Sequence, residues 1–416
     1  MQTNLSPQFR GSQTGAEAEA ILRKCVHCGF CLATCPTYQL LGDELDSPRG
    51  RIYLIKQVLE GQEPTQATQL HLDRCLTCRN CETTCPSGVE YGRLVDIGRQ
   101  LVEQRVARPR ARSGLRWLLR EGLSSRWFGP AVRLGQALRP VLPPVLKAKV
   151  PAAGGPRPRA APPGRHDRRV LLLAGCVQPS LLPNVNHATV RVLDRAGVQA
   201  VIADRAGCCG AIREHLADHA GALADARRNV DAWWPAMEGS DGRPAAEAVV
   251  VNASGCGLTV KDYGRLLAGD PSYARKAQRI SAMTRDVAEF VAQCLPALQP
   301  HRRGTQASVA LHLPCTLQHG QRLPAILQEL LPALGIQASI TTQESHLCCG
   351  SAGTYSILEP QLALRLRDRK LAQLRGLAPQ CIASANIGCI QHLQSGTNLP
   401  VRHWIELVDE LLSEAA

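Results

Sequence analysis

The chain reads as α+β overall: a small, mostly helical cysteine-rich domain, then a duplicated α/β domain with parallel sheet. Three observations predict this. A four-cysteine run closed by proline occurs twice early on, at Cys25, Cys28, Cys31, Cys35 and Pro36, and again at Cys75, Cys78, Cys81, Cys85 and Pro86. From residue 170 onward, strand-like segments alternate with helix-like ones, the pattern of parallel sheet with crossover helices. That second region carries one order of cysteines twice, each time with Cys-Cys-Gly in the middle.

Residues 1–104 form the first domain. Between its motifs, Ser47-Pro48 predicts a helix start, with serine as N-cap and proline at the first helical position. Ile52, Ile55, Val58 and Leu59 then fall on one helical face before Gly61. A further helix is expected over Tyr91–Arg105, leaving the cysteines on loops between helices.

Residues 105–169 form a connector. Sixteen Lys and Arg face two acids there, a net of +14 in a chain whose total is +13. The basic excess therefore belongs to one segment and does not argue for nucleic-acid binding. Its first part has helical spacing of apolar and basic residues, and Pro140–Pro163 is a Pro/Ala/Gly-rich tether. Either it is a solvated helix and tether, or a basic amphipathic surface anchored by Trp117, Leu118, Trp127 and Phe128 lies on an anionic membrane or a partner.

Residues 170–300 and 301–416 form two Cys-Cys-Gly halves. The first offers a strand into Cys176, a second strand before Cys208-Cys209-Gly210, and a third running towards Cys256. The second offers the same order at Cys315, Cys348-Cys349-Gly350 and Cys389. The offsets are 139, 140 and 140, falling to 133 at the last cysteine, which places extra chain near Trp234–Pro244. In parallel sheets the carboxyl ends of the strands form the functional edge, so each set of four cysteines is expected to converge there.

The doubled spacing is that of two-cluster ferredoxins, in which thiolates hold cubane [4Fe–4S] clusters. Structural zinc sites more often pair two Cys-x2-Cys units across a longer gap. Because the fourth cysteine of each run ligates the other cluster, Cys25, Cys28, Cys31 and Cys85 are expected to hold one cluster. Cys75, Cys78, Cys81 and Cys35 are expected to hold the other. The Cys-Cys-Gly cysteines can bind a further iron–sulfur cluster, form a redox dithiol or remain inert thiols. His27 is read as a turn spacer, His312 and His319 as supporting or packing residues, and Cys294 and Cys381 as small core residues.

Eighteen cysteines in metal-ligand spacings, with no apolar leader at Met1–Arg10, indicate a reducing, cytoplasmic setting. No apolar run reaches the ~20 residues of a membrane span, so membrane contact is expected to be peripheral, on the inner face of the cytoplasmic membrane. No Gly-x-Gly-x-x-Gly at a strand–helix junction, Walker loop or flavin-type glycine cluster is present. The chain therefore reads as an electron carrier without catalytic residues of its own, in need of a partner.

The segments KCVHCGFCLATCPTYQLLGDELDSPRGRIYLIKQ and CLTCRNCETTCPSGVEYG, followed by CCGAIREHLAD and CCGSAGTYSILEP, resemble the iron–sulfur subunits of bacterial glycolate oxidases over essentially the whole chain. The resemblance implies two partners, an FAD-containing subunit that oxidises glycolate to glyoxylate and a second flavoprotein-like subunit. It also implies quinone or another respiratory acceptor. An equivalent subunit for glycerol 3-phosphate or lactate oxidation is the alternative, and the architecture is similar as well to subunits of anaerobic glycerol-3-phosphate dehydrogenase and of heterodisulfide reductase. The last close each half with Cys-x2-Cys, whereas this chain has Ala253 and Asn386 at the first of those positions, which argues against a five-thiolate noncubane cluster.

Overall fold

A computed structural model describes residues 1–125, 127–141, 143, 166–240, 242–299 and 308–413. In the N-terminal domain, helices Gln13–Lys24, Pro48–Leu59 and Tyr91–Arg105 enclose Ile21, Leu22, Ile52, Ile55, Leu94 and Ile97. The Ser47 Oγ accepts from Gly50 N at 3.0 Å, and Pro48 opens the helix, as the sequence predicts. Gly98 permits the close crossing of the last two helices. A Cβ there would meet Ile55 Cγ1 at 2.5 Å.

The connector forms helices Arg110–Ser124 and Phe128–Leu138, whereas most of the Pro140–Pro163 tether lies outside the described residues. Its arginines do not present the expected basic face. Arg108 pairs with Asp73 at 2.5 Å and with Glu103 at 2.6 Å, and is only 6% exposed. Arg116 lies beside the same two acids, Arg112 pairs with Glu359, and Arg120 with Glu121 and Asp218. Most of the carboxylates that pair with these four arginines come from neighbouring segments, a pairing no local window of sequence reveals. Of the four expected anchors, Trp117, Leu118 and Trp127 are each more than half exposed, whereas Phe128 is half-buried; Leu134 is exposed beside them in sequence.

Among the described residues, eight strands make two four-stranded parallel sheets. In the first half β1 (Arg168–Leu173), β2 (Val198–Val201), β3 (Val249–Val251) and β4 (Thr284–Asp286) stand in the order β2-β1-β3-β4. In the second, β5 (Val309–Leu311), β6 (Ala338–Ser339), β7 (Cys381–Ser384) and β8 (Val401–His403) repeat it as β6-β5-β7-β8. The sequence predicts three strands per half. The fourth strands are three residues each, with charged or polar centres (TRD and VRH), and carry no alternation long enough to read. The extra chain of the first half is shared between a longer helix, His219–Glu238 against Pro360–Arg375, and the loop after Gly239.

The halves are related by pseudo-two-fold packing. Helix Pro183–Arg195 lies on Trp404–Leu412, and helix Ile326–Ala333 lies on Val287–Gln293. Val170, Val192, Val309, Leu331, Trp404 and Val408 therefore share one buried core. Arg191 crosses it to Asp409 at 2.6 Å, and Asn184 to Glu406 at 2.7 Å. Among the described residues no helix is long and apolar enough to cross a membrane.

Candidate metal centres

Each Cys-x2-Cys-x2-Cys turn folds around a point through two left-handed residues. His27 (φ 56°) and Gly29 (φ 86°) do this in the first run, and Thr77 (φ 49°) and Arg79 (φ 58°) at the matching places in the second. Non-glycine residues adopt this region at a cost, and repetition of the strain at equivalent sites marks a constraint imposed by the turn's task. His27 is thus the spacer the sequence suggests. Amides inside the turn reach back to sulfur, with Thr77 N 3.4 Å from Cys75 Sγ.

The two runs exchange their last cysteines. One cavity is lined by Cys25, Cys28, Cys31 and Cys85, with Cys81, Phe30 and Tyr91 also among its walls. Cys78 and Cys81 instead feel Cys75 and Cys35. The two groups differ in setting. Cys28 is exposed and flanked by Val26 and Phe30, 68% and 62% exposed. Around the other group Cys35, Cys75 and Cys81 are buried.

Buried cations underlie this inner group. Arg51, 1% exposed, donates to His71 O at 2.6 Å and to Thr37 Oγ1 at 3.2 Å, and pairs with Asp46 at 3.2 Å. Thr37 Oγ1 lies 3.3 Å from Cys35 Sγ. Arg99 donates to Cys75 O at 2.6 Å, and Tyr91 Oη to Cys75 Sγ at 3.6 Å. Burial, then the charge of neighbouring thiols, pushes Cys78 and Cys81 well above the ordinary thiol range, and Cys31 to about 11. Thiols gathered this densely lose their protons only against a compensating positive centre, so the donor sets fit clusters bound by thiolates.

In the α/β region, Cys176 follows β1 and Cys208-Cys209 follows β2, while Cys256 sits in helix Ser254–Lys261 after β3. Cys176 lies beside Cys208, and Cys209 beside Cys256. The second half repeats this: Cys315 Sγ is 3.9 Å from Cys348 Sγ, and Cys349 contacts Cys389. Both glycines of Cys-Cys-Gly are left-handed, φ 91° at Gly210 and 89° at Gly350. Each donates its N–H to the first sulfur of the pair at 3.4 Å. All eight cysteines thus converge as four and four.

The halves differ in what surrounds them. Cys78 and Cys315 pack into one cluster with Leu76, Cys348 and Tyr355, so the inner cysteine group of the N-terminal domain abuts the second half's thiols. Polar bonds hold that seam. Asn80 Nδ2 donates to His346 O at 3.2 Å, and Thr83 Oγ1 is 2.9 Å from His319 Nδ1. His319 is therefore a residue of this seam, with its other ring nitrogen 2.9 Å from His346 O. The first half meets the N-terminal domain through helix Ala211–His215, with Glu214 bonded to Gln100 at 3.0 Å. His312, read from sequence as a supporting or packing residue, stands against the second group: a ring nitrogen and the sulfurs of Cys349 and Cys389 lie within 4.8 Å of one another. Its position three residues before Cys315 carried no ligand signal. Cys294 is buried and Cys381 half-buried, outside both groups.

Residues 21–89 match the family of 4Fe-4S dicluster domains, and residues 170–261 and 309–394 match the Cysteine-rich domain family. The glycolate oxidase iron-sulfur subunit of Escherichia coli K12 is 52% identical over all of both chains. The probable glycolate oxidase iron-sulfur subunit of Bacillus subtilis is 31% identical over 91% of this chain and 89% of its own. Lactate utilization protein A of Bacillus velezensis is 26% identical, across 58% of this chain and 99% of its own length.

Proposed function

Because the chain belongs to the family of glycolate oxidase iron–sulfur subunits, we propose that it accepts electrons from an FAD-bearing partner oxidising glycolate and delivers them towards quinone. Its family and domains make it an iron–sulfur electron-transfer subunit of an oxidoreductase, with two [4Fe–4S] clusters in the N-terminal domain. These clusters supply one-electron carriers between a two-electron flavin and its acceptor. Cys25, Cys28, Cys31 and Cys85 would hold one, and Cys75, Cys78, Cys81 and Cys35 the other. The observation that carries this assignment is the cavity in which Cys25, Cys28 and Cys31 of the first run meet Cys85 of the second.

The exposed set, with Val26 and Phe30 beside it, is the face we assign to the flavoprotein partner. The inner set, backed by Arg51 and Arg99, faces the second Cys-Cys-Gly half. That half's Cys315, Cys348, Cys349 and Cys389 form the group best placed to extend the relay, and Cys176, Cys208, Cys209 and Cys256 form a second thiol site, whose Cys256 helix packs on the second half with Ser254 Oγ 2.7 Å from Thr316 Oγ1. The exposed Trp117, Leu118 and Leu134 of the connector support peripheral attachment at the inner face of the cytoplasmic membrane, through apolar side chains.

Co-purification of the native complex followed by a substrate screen tests the proposal. Glycolate is expected to reduce the chain's clusters through the flavoprotein. Reduction by glycerol 3-phosphate or lactate with glycolate inert would assign the chain to a different dehydrogenase.

A further inference from the structure

The two Cys-Cys-Gly halves share their cysteines but not the residue beneath them. The offset that relates Cys176 to Cys315 relates Leu173 to His312. Leu173 ends β1 as an ordinary core residue, 2% exposed. His312 occupies the same place after β5, 3% exposed, its backbone N–H bonded to Ala383 O at 2.8 Å. An imidazole so buried needs polar partners. One is Ser384 Oγ, 2.9 Å from Nδ1.

We propose that His312 is a metal ligand, binding a second-half iron centre together with Cys349 and Cys389. The proposal rests on the relay reading above for the metal's identity, and on this chain's own geometry for the site. Ligand atoms around one tetrahedral ion with N and S donors stand roughly 3.5–4 Å apart, from metal–ligand lengths of about 2.0–2.3 Å. The three atoms here already lie within 4.8 Å of one another. With Nδ1 held by Ser384, Nε2 is the ligating atom, the arrangement in which an outer partner fixes the ring and its tautomer. Asn386 supplies no thiolate but donates Nδ2 to Cys389 Sγ at 3.7 Å, and Gly350 N–H donates to Cys348 Sγ. Both are supports a thiolate ligand set needs.

The soft donor pair with one imidazole suits zinc or iron. Iron is the choice here because Cys315 and Cys348 pack directly on Cys78 of the inner N-terminal group. Replacing a thiolate by a neutral imidazole raises the reduction potential of an iron–sulfur centre. The second half thereby becomes a higher-potential site than the clusters feeding it, whereas the first half, with Leu173, lacks this ligand.

The test uses the anaerobically purified full chain, with iron counting and pulsed EPR for imidazole nitrogen coupling. More than the eight irons of two cubanes is expected, with nitrogen coupling to the additional centre. Cys349→Ser should return the count to eight with the coupling lost. His312→Cys should keep the additional iron, abolish the coupling and lower that centre's potential. Cys209→Ser in the first half should leave the coupling in place. Coupling that survives in His312→Cys, loss of it in Cys209→Ser, or zinc in place of the additional iron would each overturn the assignment. A wild-type count of eight would overturn it too, yet leave the two-cluster relay intact; absence of those eight irons would sink both.

Discussion

Replacing Arg51 by Gln removes a buried positive charge from beside the inner cysteine group. The guanidinium reaches Cys35 Sγ through Thr37 Oγ1, two contacts of 3.2 and 3.3 Å, and so lies within roughly 6 Å of the sulfur. At an effective dielectric constant of about 20, a unit charge at that distance contributes about 2–3 kcal/mol. For a one-electron couple this corresponds to ~100 mV. Reduction adds negative charge, which Arg51 favours, so Arg51→Gln should lower the inner cluster's potential by about that amount. The outer cluster should move much less. A spectroelectrochemical titration followed by EPR reads both. Arg51→Lys retains the charge and should recover most of the shift. Arg51→Gln with Asp46→Asn removes both signs and should leave a smaller shift than Arg51→Gln alone. An unchanged inner potential at intact iron content, or an equal shift in both clusters, refutes the reasoning.

Three further outcomes follow from the packing. Gly350→Ala should lower the thermal midpoint more than Gly210→Ala. Both incur the left-handed penalty of about 1–2 kcal/mol, but a Cβ at Gly350 meets Ala363 O at 2.5 Å where one at Gly210 meets Ala222 O at 3.1 Å; equal losses would contradict this. Arg108→Glu should destabilise the fold by ~3–5 kcal/mol, because it leaves Asp73 buried beside a like charge, whereas the exposed Arg110→Glu should do little. Release from anionic vesicles at unchanged stability in Arg108→Glu would restore a basic membrane face. Burial depresses His403 to about 3, and its Nδ1 must stay unprotonated to accept Ile405 N at 3.2 Å. The unfolded chain takes up this proton near pH 6.5 and the folded one does not. The stability contributed is therefore complete above pH 6.5 and is lost as pH falls towards 3. His403→Asn should flatten the acid side of the stability profile, and an unaltered profile would remove His403 as its source.

Much of the site was legible because metal-binding turns are local. The spacing within Cys25–Cys35 and Cys75–Cys85 is set by how a short loop wraps a cluster, and the Ser47-Pro48 helix start and the Tyr91–Arg105 helix are equally local signals. The convergence of the Cys-Cys-Gly cysteines was legible through the repeat itself, since each lies just after a strand. What escaped depends on contacts between distant segments. Arg108 and Arg116 look like a basic surface until Asp73 and Glu103 are folded against them. His312 looks like a strand-end residue until β7 brings Ser384, and the helix after it Cys389, to its ring. The seam between Cys78 and Cys315 joins residues more than two hundred positions apart, and nothing near either one announces the other.

The most direct measurement is rapid-freeze EPR of the anaerobic native complex after mixing with glycolate. The account predicts that both clusters of this chain become reduced as glyoxylate forms, and that Cys85→Ser, which removes the fourth ligand of the exposed set, blocks that reduction while flavin reduction persists. Clusters that dithionite reduces but glycolate leaves oxidised, in a complex whose flavin glycolate has reduced, would contradict it.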